Sequence, residues 1–237
     1  IPEIEFREAL DPEWVNFSRS KVGKRYFIRA LEGAGIRCYE RDATTGRRKP
    51  RQTPRPEGVA LAGVILPLVA FVRPEMQAVL AWFRAQHVHK IKGALKHSVT
   101  LDGFTIDLGG GGVHGSVERQ AIDGEILDLD VTSYYPSISI EHGIFPAHMG
   151  PKFCEVYAEL KARRLSLPKS HRDYAALKLA LNSVFGDTNN EHGEFFDPSF
   201  LLATTVNGQL MLCMLVEQLS LVPGVKIIQA NTDGVTV

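Results

Sequence analysis

ILDLDVTSYYPSI, residues Ile126 to Ile138, is the stretch on which the reading of the whole chain turns. Ile126, Leu127, Leu129 and Val131 are strand formers. Asp128 and Asp130 alternate with them, so both carboxylates share one strand face. Two carboxylates on an otherwise apolar strand are costly unless a metal or another cation answers them. The strand runs into Ser133-Tyr134-Tyr135-Pro136-Ser137, where Pro136 has no N–H for a ladder and ends it. The expectation is a buried strand that delivers a carboxylate beside an aromatic turn, a suitable place for a metal.

Outward from that stretch, the chain has 237 residues, 44% of them hydrophobic, enough to bury a substantial core in one large or two small domains. Lys plus Arg equals Asp plus Glu at 27 each, so any polyanionic partner must be met by local rather than global charge. Cys38, Cys154 and Cys213 are widely separated and form no C-x-x-C pair, which points to reduced thiols, no zinc module and an intracellular setting. The apolar run Gly58 to Val72 is too short to span a bilayer and is broken by Pro67, so no membrane is expected. A start at Ile1 without Met and an end at Val237 inside a strand-like run suggest a fragment.

Upstream of the opening stretch, Trp14 to Leu31 has helical character. Asp42 to Glu57 is a Pro-rich connector bearing Arg47, Arg48, Lys49, Arg51 and Arg55, either a solvated loop or a phosphate-contacting arm. Val59 to Phe71 reads as one or two buried strands, and Pro74 opens a helix to about His87. His89 to His97 reads as a basic surface. Thr100 to Leu108 reads as a strand entering Gly109-Gly110-Gly111-Gly112-Val113-His114-Gly115, where backbone N–H groups could approach a phosphate. By itself that run reads first as a flexible loop.

Downstream, Pro151 to Leu167 and about Arg172 to Phe185 form an antiparallel helical hairpin. On the second helix Lys178, Asn182 and Phe185 fall on one face. About Ala203 to Leu219 is a third, strongly apolar helix, expected to be buried. Val225 to Ala230 reads as a strand, and Asn231-Thr232-Asp233-Gly234 turns it into a β-hairpin with a carboxylate at the tip.

Taken in order, these pieces resemble the three polymerase motifs of family B DNA polymerases. D-x-x-S-L-Y-P-S is matched by Asp130 to Ser137, and K-x-x-x-N-S-x-Y-G by Lys178, Asn182, Ser183, Phe185 and Gly186. Y-x-D-T-D-S is matched by Asn231-Thr232-Asp233-Gly234, with Gln229 in the Tyr place. The resemblance covers about Thr100 to Val237. The loop of Gly111, Gly112, His114 and Gly115 resembles the glycine motif that touches template in phage-type members.

The resemblance implies an α+β fold: a polymerase palm, antiparallel sheet with packed helices, plus helical-hairpin fingers. The divisions it implies are 1–99 as an N-terminal mixed region, 100–150 as the first part of the palm, 151–186 as fingers and 187–237 as the truncated second part. It implies template-directed nucleotidyl transfer from dNTPs to a primer 3′-hydroxyl, with two Mg²⁺ ions (Mn²⁺ able to substitute), about 3.5–4 Å from each other, clamping the attacking and leaving oxygens. Asp130 and Asp233 would be the catalytic ligands, with the carbonyl of Val131 as a further donor.

Lys178, with Arg163, Arg164 or Lys169, would hold the triphosphate, and Asn182, Ser133 and Tyr134 would attend the nucleotide. Tyr135 would pack on the sugar and exclude a 2′-hydroxyl. Phe185 and Gly186, with the glycine loop, would contact DNA. Implied partners are primer–template DNA, dNTPs and other domains or chains of the same polymerase, in the cytoplasm of a bacterial or phage-infected cell.

Departures from the pattern are Asn231 for the first Asp of the third motif, Gly234 for Ser and Phe185 for Tyr. Asp128 is a rival ligand, otherwise a partner for a neighbouring Lys or Arg. A thumb and a D-x-E exonuclease motif are not found, and the short span from Tyr135 to Lys178 argues against protein-primed members. Two alternatives stand beside this reading. One is a non-catalytic DNA-binding fragment awaiting a thumb or partner chain. The other, disfavoured for want of adjacent carboxylates at the tip, is a palm-type reverse transcriptase or RNA polymerase.

Overall fold

The computed structural model describes residues 11–54, 56–90, 95–109, 111–118 and 124–237. Arg55, residues 91–94 of the basic segment and Gly110 of the glycine run therefore lie outside the described residues. In chain order the elements are α1 (Arg19–Gly33), β1 (Tyr39–Arg41), β2 (Arg48–Pro50), β3 (Val59–Ala60), α2 (Pro74–Arg84), β4 (His87–Val88), β5 (Lys96–Leu101), β6 (Phe104–Gly109) and β7 (Val113–Ser116). Then follow β8 (Asp128–Asp130), α3 (Tyr134–Glu141), α4 (Lys152–Leu165), α5 (Arg172–Asp187), α6 (Pro198–Ser220), β9 (Gln229–Asn231) and β10 (Gly234–Thr236). This is a mixed α+β chain whose paired strands are antiparallel throughout.

Two compact units interleave along the sequence: residues 1–54 with 139–200, here unit 1, and residues 55–138 with 201–237, here unit 2. Unit 2 is built on a six-stranded sheet of order β5-β6-β7-β9-β10-β8. Its faces follow from alternation. In β6, Phe104, Ile106 and Leu108 are buried while Thr105 and Asp107 are exposed. The buried face packs with Met76, Val79 and Phe83 of α2 and with Val206, Leu210 and Cys213 of α6. Pro74 opens α2 at the first helical position, where its missing N–H costs nothing.

Several expectations are corrected in unit 2. Thr100 to Leu108 is not one strand but a hairpin. Asp102-Gly103 at positive φ (49° and 84°) is its two-residue turn. Only Val59–Ala60 of the run to Phe71 is strand; the chain then winds through a 3₁₀ turn, and Asn207 of α6 takes up the backbone of Val64 and Leu66. Of Val225 to Ala230, only the last two residues join β9. The strand at Asp128–Asp130 is exposed at the sheet edge rather than buried, and Pro136 lies inside the first turn of α3 rather than in an irregular turn.

In unit 1, α1, α4 and α5 close around an aromatic core in which Phe27 meets Phe153, Tyr157 and Phe195 edge to face at 5.1–5.6 Å. Ser18 caps α1 by accepting from Lys21 N. Beneath the aromatics, Lys24 bridges Asp187 (3.3 Å) and Glu194 (2.9 Å), and Tyr39 donates to Glu194 (2.6 Å). Buried Asp197 accepts from Thr53 Oγ1 and Ala147 N, both at 2.8 Å. The basic connector is also corrected. Arg48–Pro50 is a strand paired with β1, Lys49 bridges Glu40 and Asp42, and Arg48 lies 3.7 Å over the Tyr39 ring. α6 is long and apolar enough to cross a membrane, yet 78% of its apolar window is buried inside the protein.

Candidate functional site

In unit 2 the sheet brings the first and third motifs side by side. β10 pairs with β8 so that Gly234 faces Asp130, and Val131 N donates to the carbonyl of Asp233 at 2.9 Å. The hairpin tip is tight: Thr232 holds φ 46°, a strained value for a β-branched residue, and Asp233 N donates to Asn231 O. Cross-strand register puts Asp107, His114, Asn231, Gly234 and Asp130 in one transverse row on the exposed face. Gly234, having no side chain, leaves a gap in that row beside the Asp130 carboxylate.

The electrostatics suit a cation. Partial burial pushes the Asp233 carboxyl above its ordinary range, and the charge of Asp130 adds to the effect. Among the described residues no Lys or Arg forms an ion pair with either carboxylate. Two repelling carboxylates without a protein cation are a hard-oxygen donor pair of the kind Mg²⁺ accepts when substrate and water complete its shell. Among the described residues no group of three or more His, Cys, Asp or Glu could hold a metal; what stands here is a pair of carboxylates. Asp128, the rival, accepts a 2.9 Å hydrogen bond from Thr236 Oγ1, so its partner is a hydroxyl rather than a Lys or Arg.

The glycine loop closes over the same place. Tyr135 OH donates to Gly111 O at 3.4 Å. A Cβ on Gly112 would stand 3.3 Å from Thr232 Oγ1, so the loop lies against the hairpin tip. Gly115 answers to packing: its Cβ would strike Thr105 O at 2.5 Å. His114 Nδ1 pairs with Asn231 Oδ1 at 3.0 Å, at the end of a groove of about 470 Å³ running along β6, β7 and β9. Tyr134 is buried and donates to Gly208 O at 2.6 Å. Tyr135 is half-buried, and burial pushes its phenol up to about 12. Ser133 sits at φ 54° and its carbonyl accepts from Ser137 Oγ and N.

The second motif stands in unit 1. On α5, Lys178 and Asn182 are exposed, Ser183 Oγ donates to Ala180 O, and Phe185 stacks on Phe200 with centroids 5.7 Å apart. Gly186 is exposed with nothing within 4 Å of a Cβ placed there. Asn182, Ser183 and Gly186 line a cleft of about 530 Å³ with Lys21, Lys24 and Arg25 of α1. Arg163 bonds Tyr26 OH (2.9 Å) and Asp173 (3.3 Å), whereas Arg164 is buried over the Tyr174 ring. Lys169 is exposed in the turn between α4 and α5.

Motif reading missed groups that pack against these residues: Gly208, whose carbonyl accepts from Tyr134, Gln209, which accepts from Gly109 N, and Gly23, which lies against the backbone of Leu179 and Ala180 on α5. The two glycines carried a visible signal, since an isolated glycine inside a helical pattern usually has a packing reason to be there. Asp130, Asp233, Tyr135 and the glycine loop are thus gathered in unit 2, and Lys178, Asn182, Phe185 and Gly186 along one helix of unit 1. Comparison with protein-family models gives no match, and comparison with the curated proteins gives none, so residues and geometry alone speak for the function.

Proposed function

We propose that this chain is the palm and fingers of a DNA-templated DNA polymerase of family B type, extending a primer 3′-hydroxyl with dNTPs. One observation carries the reading: Asp130, at the end of β8, and Asp233, remote in sequence and in the turn that leads into the paired β10, stand together beside an aromatic residue and a glycine loop. A merely structural carboxylate pair would be expected to have a Lys or Arg between its members.

Asp130 and Asp233, with the Val131 carbonyl, are the residues that would hold divalent metal. When bound, Mg²⁺ supplies Lewis-acid stabilisation of the attacking and leaving oxygens. The hairpin tip holds Asp233 beside Asp130, and the strained Thr232 keeps it tight. Tyr135 presents its ring as the sugar filter. Unit 1 carries the residues that the resemblance assigns to the nucleotide, Lys178 and Asn182, both exposed and able to meet phosphate. Arg163 serves there only by leaving Asp173, and Arg164, buried on Tyr174, is better read as a support of α4.

The test is Mg²⁺-dependent extension of a primer on a defined template. Tyr135→Ala is expected to retain dNTP insertion and to lose discrimination against rNTPs by tenfold or more; unchanged discrimination would remove the filter role. Primer–template affinity is expected to fall steeply with salt, because Lys and Arg contacts to phosphate release counterions. A flat salt profile would count against a DNA groove. Binding without extension would favour the non-catalytic fragment.

A further inference from the structure

Gly208 lies in the middle of α6, where glycine costs about 1 kcal/mol relative to alanine, so something other than helix formation places it there. Its surroundings supply the reason. A Cβ at this position would lie 2.9 Å from Cε1 of Tyr135, 3.3 Å from Cδ1 of Ile138 and 3.4 Å from Cε1 of Tyr134. The Tyr134 hydroxyl donates to the Gly208 carbonyl at 2.6 Å. Both aromatic residues of the first motif are therefore seated on one bare spot of the core helix.

The next residue on α6 extends the arrangement. Gln209 is buried and its Oε1 accepts from Gly109 N at 3.1 Å, at the root of the glycine loop. That loop offers Gly111 O to the Tyr135 hydroxyl. The Tyr135 ring is thus bounded at one edge by Gly208 and at its tip by a loop that Gln209 ties to the same helix.

We propose that Gly208 is a specificity-determining positioning residue: the missing side chain sets how far the Tyr135 ring stands off α6, and so the space left for the sugar of an incoming nucleotide. This inference rests on the polymerase reading and on Tyr135 as sugar filter. The three atoms nearest a Cβ at position 208 are side-chain atoms of α3. A methyl group there is accommodated by displacing rings, and the Tyr135 ring, being nearest and half-exposed, moves first. Tyr134→Phe acts in the opposite sense. It keeps the ring but removes the hydroxyl tie to α6, which frees the turn that carries Tyr135.

The experiment is single-nucleotide insertion by the full chain on a primed template with Mg²⁺, using a dNTP and the matching rNTP, alongside thermal melting of each variant. Gly208→Ala is expected to raise the KM for dNTP about tenfold, with kcat within about twofold, as the ring is driven toward the sugar. Tyr134→Phe is expected to relax exclusion of rNTP several-fold, and opposite effects of the two variants are what a purely structural role would not produce. Gly208→Ala with unchanged KM and discrimination overturns the proposal, as does a fall of kcat and melting temperature together with KM unmoved. The failures are distinguishable. No extension by the unaltered protein removes the polymerase reading. Extension with Tyr135→Ala discriminating as before removes the filter. With both intact, an inert Gly208→Ala removes Gly208 alone.

Discussion

Asp233→Asn is expected to abolish primer extension, by a thousandfold or more, while leaving the protein as heat-stable as before or slightly more so. Loss of about 4 kcal/mol of transition-state stabilisation corresponds to that factor. Among the described residues no third His, Cys, Asp or Glu joins the pair, so no other side-chain donor of these types substitutes when one carboxylate is removed. The stability half follows from linkage. Burial and the nearby Asp130 raise the Asp233 pKa in the folded protein, so the folded state holds this proton more tightly than the unfolded chain. The resulting stabilisation is fully present below the unfolded pKa, near 3.9, and is lost as pH rises through the folded value.

At neutral pH the ionised group is therefore a liability to the fold, and Asn removes it. Melting at pH 7 should show Asp233→Asn equal to or above the parent, with the difference closing in acid where both forms are neutral. Asp130→Asn should be equally inactive and should let the Asp233 pKa fall. Asp128→Ala should remain active, because Asp128 is already engaged by Thr236. An active Asp233→Asn protein, or an inactive Asp128→Ala protein with normal melting, would overturn the proposed assignment of Asp130 and Asp233 as metal ligands.

Asp130 and Asp233 were legible because motif spacing and hairpin chemistry are local. Their adjacency was expected only through the resemblance, since nothing local to either segment encodes it: it depends on β8 joining β10 at the far edge of a six-stranded sheet. Alternation in β8 correctly put both aspartates on one face, but exposure was misjudged. An apolar sequence such as ILDLD reads as a core strand, and only the strand order reveals that it is an edge. The hairpin at Asp102-Gly103 was readable in principle from its turn dipeptide, as the alternation on either side of it is continuous. Helices α2, α4, α5 and α6 followed from periodicity, with ends shifted by a few residues. The basic connector misled because a run of Arg and Lys gives no hint of partners upstream: Glu32, Glu40 and Tyr39 neutralise or stack on it.

Helix α1 is the element whose importance sequence reading left open, and its removal from the core should be the most damaging change to the fold. Phe27 is fully buried and touches three aromatic rings contributed by α4 and by the segment after α5. Phe27→Ala should destabilise unit 1 by about 3–5 kcal/mol, from lost transfer energy plus an uncollapsed cavity. Against a domain stability of about 5–15 kcal/mol, that is enough to unfold a substantial fraction on mild heating. Gly23 makes the sharper contrast. In an exposed helix Gly→Ala stabilises by about 1 kcal/mol, yet a Cβ on Gly23 would stand 2.6 Å from the Leu179 carbonyl carbon and 2.9 Å from Ala180 N. Those are backbone atoms of α5 and cannot step aside as a side-chain tip can. Gly23→Ala should therefore destabilise, reversing the sign that propensity predicts, and it should loosen the helix bearing Lys178 and Asn182 along with α1. Chemical denaturation of the two variants decides the matter. A neutral Phe27→Ala or a stabilised Gly23→Ala would mean that α1 merely lies on unit 1, whereas losses in both make it part of the platform beneath α5.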